Sequence, residues 1–360
     1  MSHDEHQHVQ PNDLDQRIWG QELDAFVPKK VFDVHTHMYQ WDLSKSPSEN
    51  DKPYFELFGE RFPEASWDVL TTVDRLLMPG REVQRLAFGF PFPDIRDFDL
   101  PNDYVGRQVA GHSQSGALML VHPSMTTEYL EERHARHGFL GLKPYRFYSS
   151  TGDAVECRMT DFLPEHQIEF AHDHGLLIMM HVSKRDAIAD RENIEDLLWL
   201  TDKYPQAKWI LAHCARSYSN WAIERVAGQL RGLPNVWYDT SSVCESDAIE
   251  ALCRAVGPER VMYGSDDVPV GVLRGKYIAF GYAWAYLSED NHQLGLSHCD
   301  RRMTFTRYEQ LRAMRRAAGR LQLSTRQIEC MFCDTAAELV AGVKSKIEQA
   351  GKRQGAGVET

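Results

Sequence analysis

The chain has 360 residues, 42% of them hydrophobic, and carries a formal net charge of −12. That charge argues against general nucleic-acid binding, which needs a basic surface to displace counterions from phosphates. No apolar run approaches the eighteen or so residues needed to cross a bilayer, so no membrane partner is expected.

The length exceeds the usual single domain, yet α/β barrels reach this size around one core. One elaborated domain is expected over residues 31–345, with a lead-in at 1–30 and a tail at 346–360. The first ten residues are polar and include His3, His6 and His8, without the apolar core of a signal peptide. Seven cysteines, an odd number scattered through the chain, argue against a disulfide framework and for a reducing, cytoplasmic setting. Cys330 and Cys333 fall inside a helical pattern and read as buried thiols.

Taken in order, residues 12–30 read as a short helix and loop anchored by Trp19 and Phe26. Val31 to His37 is an apolar run that turns polar, as a buried strand does when it stops at a site. Side chains two apart in a strand share a face, so His35 and His37 can hold one divalent cation together. Residues 41–79 are rich in proline, aromatic and acidic residues and read as an insertion over the active face. Strands are then predicted over 83–90, 117–122, 139–146, 176–181, 208–213, 236–239 and 261–265. Helices are predicted over 102–111, 126–137, 161–174, 191–204, 220–231 and 246–256. This alternation implies parallel strands with right-handed crossovers, and eight strands, counted from Val31, make a barrel. Residues 271–302 carry Tyr277, Phe280, Tyr282, Trp284 and Tyr286 and read as a lid or a subunit contact. Two helices close the chain, over 306–319 and 324–349, the second opened by a Ser324 and Gln327 capping box. Residues 351–360 read as a disordered tail.

Catalytic groups of such a barrel come from the C-terminal strand ends, where His35, His37, His181, His213 and Asp266 all fall. Basic residues cluster just beyond the same ends: Lys143, Arg146, Lys184, Arg185 and Arg216. Arginine presents a planar fork to carboxylates and phosphates, so Arg146 and Arg216 point to a small anionic substrate. Lys184 and Arg185 read equally well as loop charges paired with Asp186 and Asp190. Tyr145, Tyr148 and Tyr218 can stack on a ring or sugar or hydrogen-bond to it.

With these residues in place, the chain resembles the amidohydrolase superfamily, in the branch that holds lactonases, other hydrolases and metal-dependent non-oxidative decarboxylases. The resemblance rests on His35/His37, His181, His213, Gly264-Ser265-Asp266 and Pro269, and on residues 328–339, where Asp334-Thr335 replaces a customary asparagine. It spans 31–340 and leaves the insertions at 41–79 and 271–302 uncovered. It implies a (β/α)8 TIM barrel with insertions after strands 1 and 8 and extra C-terminal helices. His35, His37, His181 and Asp266 would hold one divalent ion, zinc first and manganese next. His213 would stand beside it to polarise a carbonyl or move a proton, and Asp266 would take the proton of the attacking water. Lys143 stands where other branches carry a carboxylated lysine between two metals, but a single ion is expected here. The function implied is hydrolysis of an ester, lactone or amide of a carboxylated small molecule, with Lys143, Arg146, Arg216, Tyr145 and Tyr218 on the substrate. Non-oxidative decarboxylation uses the same ligands and is the alternative; an inactive ligand-binding barrel is a further one. A homo-oligomer is compatible with every reading.

Overall fold

In the computed structural model, which describes residues 7–41, 55–93, 95–289, 291 and 294–356, the apolar runs form two parallel sheets. The predicted tail residues His3 and His6, residues 42–54 of the expected insertion and residues 357–360 lie outside the described residues. Strands β1 (Lys30–His37), β2 (Glu82–Phe88) and β3 (Gly116–Ala117) make the first sheet, in that order. Strands β4 (Met119–Val121), β5 (Gly141–Pro144), β6 (Leu177–Met180), β7 (Lys208–Leu211), β8 (Val236–Asp239) and β9 (Val261–Met262) make the second, neighbours in space following neighbours in sequence. All of these pairings are parallel. Such strands are covered on both faces, which is why β6 reads Leu-Ile-Met-Met without alternation and is buried throughout.

The two sheets meet at both edges. Only Leu118 separates β3 from β4. At the other side the Val34 N–H donates to the Tyr263 carbonyl (3.1 Å), and the Asp266 N–H donates to the His35 carbonyl (2.9 Å). These bonds place the end of β1 against the chain just beyond β9.

Helices Asp99–Val109, Thr127–His137, Glu165–His174, Arg191–Lys203, Asn220–Arg231 and Ser246–Val256 alternate with the strands. The helix predicted over 161–174 is in fact broken into Met159–Phe162 and Glu165–His174. Pro164 stands at the break, since a proline lacks the N–H that a continuous helix would use there. The expected capping box is present: Ser324 accepts from the Gln327 N–H, and Gln327 reaches back. From Thr325 the chain runs through a π turn at Cys330–Asp334 into the helix Thr335–Ala356. The predicted tail is therefore helical as far as Ala356. Gly351 and Gly355 each cost about 1 kcal/mol there relative to alanine, too little to stop an established helix. All seven cysteines are free, with Cys333 buried and Cys330 partly so. No helix among the described residues is long and apolar enough to cross a membrane.

Residues 271–302, expected to form a lid or contact, contain an antiparallel hairpin of β10 (Gly275–Phe280) and β11 (Ala283–Ser288). In the earlier insertion, Glu64–Ala65 pairs with Tyr39–Gln40 just ahead of it, and the Phe58 ring packs 4.5 Å from that of Phe90.

Beneath the ends of β1 and β9 lies a buried polar brace. Arg307, on the helix Thr306–Leu321, is 1% exposed; it donates to Asp74 (2.7 Å) and pairs with Asp267, while Asp74 also pairs with Arg85. Gln310 on the same helix donates to the Gly264 carbonyl at 2.7 Å. Asp33 accepts from the backbone N–H groups of His35 (3.1 Å) and Ser265 (2.8 Å), and burial pushes its carboxyl up to about 6. The helix Thr306–Leu321 thus fixes both flanks of the Gly264–Asp267 segment. Replacing Arg307 with methionine strands the buried Asp267 carboxylate and leaves Asp74 with Arg85 alone, and the expected loss of stability is on the order of 3–5 kcal/mol in urea unfolding. A loss below about 1 kcal/mol would remove the brace from the account of the fold.

Candidate metal centre

His35 and His37 leave β1 toward the same side, their ring centroids 5.4 Å apart. The rings of Phe88 and Phe90 pack against them at 5.0 and 4.9 Å and keep the surroundings apolar. His35 Nδ1 lies 2.9 Å from Asp239 Oδ2 at the end of β8. An ionised carboxylate can only accept, so Nδ1 carries the proton and the Nε2 lone pair faces the site. That Nε2 stands 3.5 Å from Asp266 Oδ1, and His37 Nε2 stands 3.2 Å from the same oxygen.

His213 departs from the sequence expectation. The predicted strand over 208–213 ends at Leu211, and His213 to Arg216 form a left-handed turn with φ values of 56, 52, 56 and 58°. Left-handed backbone costs L-residues roughly 1–2 kcal/mol each, so the turn needs specific support. The His213 N–H donates to Asp239 Oδ1 (2.9 Å), and the Ser217 N–H returns to the His213 carbonyl (3.0 Å). His213 Nδ1 is 2.9 Å from the Ser241 carbonyl, to which it donates, leaving Nε2 for chemistry. Asp266 has a φ of 63°, a region aspartate tolerates better than most residues, and its Oδ2 accepts from Ser242 Oγ at 2.7 Å.

One ligand atom each from His35, His213 and Asp266 lie within 4.8 Å of one another. Together they could hold one metal ion. His37 touches Asp266, and the His181 ring stands 5.1 Å from that of His213. Among the described residues, His35 Nε2, His37 Nδ1 and His181 Nδ1 are buried without a hydrogen-bond partner. Burial holds the His35 imidazole down at about 4, lowers His37 and lowers His181 well below its ordinary value. Burial alone would raise Asp266, but the His37 contact and the neighbouring imidazoles outweigh it and hold the carboxyl well below the usual range. Neutral imidazoles with free lone pairs beside an ionised carboxylate are the donor set that zinc or manganese takes. The residues present fit such an ion.

Three contributors escaped the sequence reading: Asp239, Ser241 and Ser242. The signal for Asp239 was available, since Val236-Trp-Tyr-Asp239 is another apolar run that ends in a polar residue.

On the substrate side, Lys143 Nζ is buried without a partner among the described residues, over the rings of Tyr145 (4.3 Å) and Phe88 (4.9 Å). Burial lowers its amine to about 7 against the pull of Asp239 and Asp266. Arg146 donates to the Ala154 carbonyl (2.5 Å) and lies over Phe147. Arg216 donates to the Lys184 carbonyl (2.6 Å), and burial together with the Arg146 charge lowers it to about 10. Neither guanidinium has a carboxylate partner among the described residues. Lys184 and Arg185, by contrast, are paired, though with Glu192 (2.5 Å) and Glu156 (3.2 Å) rather than with Asp186 and Asp190. Tyr145 stacks on His181 at 5.9 Å and Tyr218 on His213 at 6.2 Å. Tyr148 donates to the Phe92 carbonyl (2.9 Å), so its hydroxyl serves the fold.

An amidohydrolase family model matches residues 32–341. No curated protein matches. Among solved structures, an amidohydrolase from Burkholderia multivorans with bound zinc is 16% identical, with a TM-score of 0.55 over 86% of this chain and 99% of its own. The 4-oxalomesaconate hydratase of Rhodopseudomonas palustris is 15% identical, with a TM-score of 0.53 over 90% of this chain and 99% of its own. A 5-carboxyvanillate decarboxylase of Novosphingobium aromaticivorans DSM 12444, complexed with manganese and 4-hydroxy-3-methoxy-5-nitrobenzoic acid, is 15% identical, with a TM-score of 0.51 over 88% of this chain and 97% of its own. At these identities the likeness is one of fold.

Asp239→Ala should weaken metal affinity by about 10–100-fold, the usual effect of removing the partner that orients a ligating histidine. Competition against a chromophoric chelator measures this, and an affinity equal to the parent's would leave Asp239 a purely structural residue.

Proposed function

The chain belongs to the amidohydrolase family, and from that premise we propose that it is a metal-dependent hydrolase acting on an ester, lactone or amide bond of a carboxylated small molecule. The observation that carries this reading is the buried cluster of His35, His213 and the ionised Asp266, with His35 Nε2 unpartnered beside that carboxylate, flanked by two guanidiniums that have no carboxylate partner among the described residues. The reading takes the two parallel sheets as arcs of one (β/α)8 barrel, with the site at the C-terminal strand ends.

His35, His37, His181 and Asp266 would hold one zinc or manganese ion. Such an ion supplies Lewis acidity and brings the pKa of a water near neutrality. Asp266, kept ionised by its imidazole neighbours, accepts the proton of the attacking water. His213, with its Nδ1–H committed to the Ser241 carbonyl, presents an Nε2 lone pair that takes this proton from Asp266 and delivers it to the leaving group. Arg146 and Arg216 hold the substrate carboxylate, and Tyr145 and Tyr218, packed on His181 and His213, offer ring faces to the rest of the substrate. The near-neutral Lys143 amine donates to a substrate oxygen. The ionised carboxylate within the ligand cluster supplies the proton acceptor that activating water requires.

The test is a screen of metal-loaded protein against lactones, carboxylated esters and amides, and aromatic or unsaturated carboxylates, reading acid release and carbon dioxide together. Acid release without carbon dioxide is expected; carbon dioxide from a carboxylate would make the enzyme a decarboxylase on the same ligands. Metal analysis should give one equivalent, and two equivalents with a carboxylated Lys143 would replace the single-ion account.

Two substitutions separate the histidine roles. His213→Asn should cut turnover by about 10²-fold or more while much of the metal stays bound. His181→Ala should lose both, and equal metal loss in the two variants would make His213 a ligand. Arg146→Leu and Arg216→Leu should each raise KM by an amount corresponding to about 1.5–3 kcal/mol with metal content intact.

A further inference from the structure

The β10–β11 hairpin carries aromatic residues that the proposed chemistry does not use. In its register Tyr277 faces Tyr286 and Ala279 faces Trp284. Directly paired residues share a face and alternate residues along a strand do too, so Tyr277, Trp284 and Tyr286 lie on one side of the ribbon. That side meets Tyr218, whose ring centroid is 4.7 Å from Tyr277 and 4.3 Å from Trp284. The base of the hairpin is tied down by the Tyr286 and Thr306 hydroxyls at 2.9 Å. Its tip is open to solvent, with Tyr282 75% exposed.

Arg216 lies at the same junction, on the left-handed turn that carries His213. Its guanidinium is held by the Lys184 carbonyl and by the Trp284 ring, 5.8 Å away. A carboxylate would orient Arg216 as well as the indole does, but it would also cancel the charge. An aromatic face attracts a cation through its quadrupole and leaves the guanidinium fork free for an anion. Arg146 is held in the same manner, by the Ala154 carbonyl and the Phe147 ring at 4.8 Å. Two guanidiniums oriented by rings and carbonyls are set up to receive a negative charge from outside the protein.

We infer that Trp284 is a positioning residue for substrate: the hairpin holds Arg216 by its indole face, uncancelled, and so commits that guanidinium to an anionic group of the substrate. This deepens the proposal of a carboxylated substrate and rests on it. It also gives the hairpin a function in selectivity, since a substrate lacking an anionic group would leave Arg216 facing it without a partner.

The experiment measures succinate binding to metal-loaded protein by titration calorimetry, without reference to turnover, for the parent, Arg216→Leu, Trp284→Ala, Trp284→Phe and Tyr282→Ala. Trp284→Ala should bind succinate about three- to thirtyfold more weakly, matching the range of a cation–π contact. Trp284→Phe, which keeps a ring, should recover most of the affinity, and Tyr282→Ala at the exposed tip should bind as the parent does. Should Trp284→Ala fail to hold metal, Trp284→Leu fills the space without a ring and is expected to show the same weakening. Parent-like binding in the ringless variant, with Arg216→Leu impaired, overturns the role of Trp284 and leaves the anionic-substrate reading standing. Parent-like binding in Arg216→Leu, or no binding by the parent, overturns the anionic-substrate reading and the role of Trp284 with it. Once a substrate is known, Trp284→Ala should raise KM with kcat retained, a split that general loosening of the site would not give.

Discussion

The buried carboxylate of Asp239 is the contact through which three strand ends become one site. Its two oxygens reach His35 on β1, the backbone N–H of His213 beyond β7, and the Ser241 hydroxyl just past its own strand. Each bond settles a separate question: which nitrogen of His35 faces inward, how the chain turns at His213, and where Ser241 stands to hold that imidazole. Burial works against the charge on Asp239, yet the His35 contact and the neighbouring donors hold its carboxyl well below the ordinary range. A carboxylate so fully committed is a fixed reference point. Asp266 and the histidine rings are arranged around it.

Charge is handled in two different ways within the same molecule. Beneath the site Arg307, Arg85, Asp74 and Asp267 are matched and buried, and Lys184 and Arg185 are matched at the rim. Desolvated ions of opposite sign in contact brace the structure, because separating them exposes each to an apolar interior. Arg146, Arg216 and Lys143 are the contrast: buried or half-buried cations whose contacts are carbonyls and rings. The difference marks where the fold ends and ligand chemistry begins, and it is visible only when partners are traced residue by residue.

The strand ends and the histidine and aspartate motifs were legible in the sequence because the same local pattern recurs: an apolar run, then a ligand-type side chain. His35, His37, His213 and Asp266 could therefore be named from that pattern, and the structure brings them together. The supports were not legible. Asp239 lies 204 positions from His35, and no local periodicity links the two. The left-handed turn at His213 was read as one more strand residue, since φ follows from contacts made elsewhere. The hairpin was seen as an aromatic stretch, but its register, and so the face it turns to Tyr218, depends on pairing that composition does not encode. The helix break at Pro164 stands apart, because there proline's missing N–H ends a helix that the periodicity alone would carry through.

The left-handed turn at His213 to Arg216 also bears on how such an enzyme can change. The imidazole proposed to move a proton and the guanidinium proposed to bind an anion sit three residues apart on a tightly determined piece of backbone. Their separation is a property of the main chain, with little adjustable through side-chain exchange. Substrates of different length cannot be accommodated by sliding one group relative to the other. Variation has to enter through the loops that approach from outside, above all the chain around Arg146 and the aromatic ribbon. Mutational drift at the turn itself would then be poorly tolerated, while its surroundings stay open to diversification. Directed evolution toward new substrates would accordingly gain most from libraries in those flanking loops, with the turn left untouched.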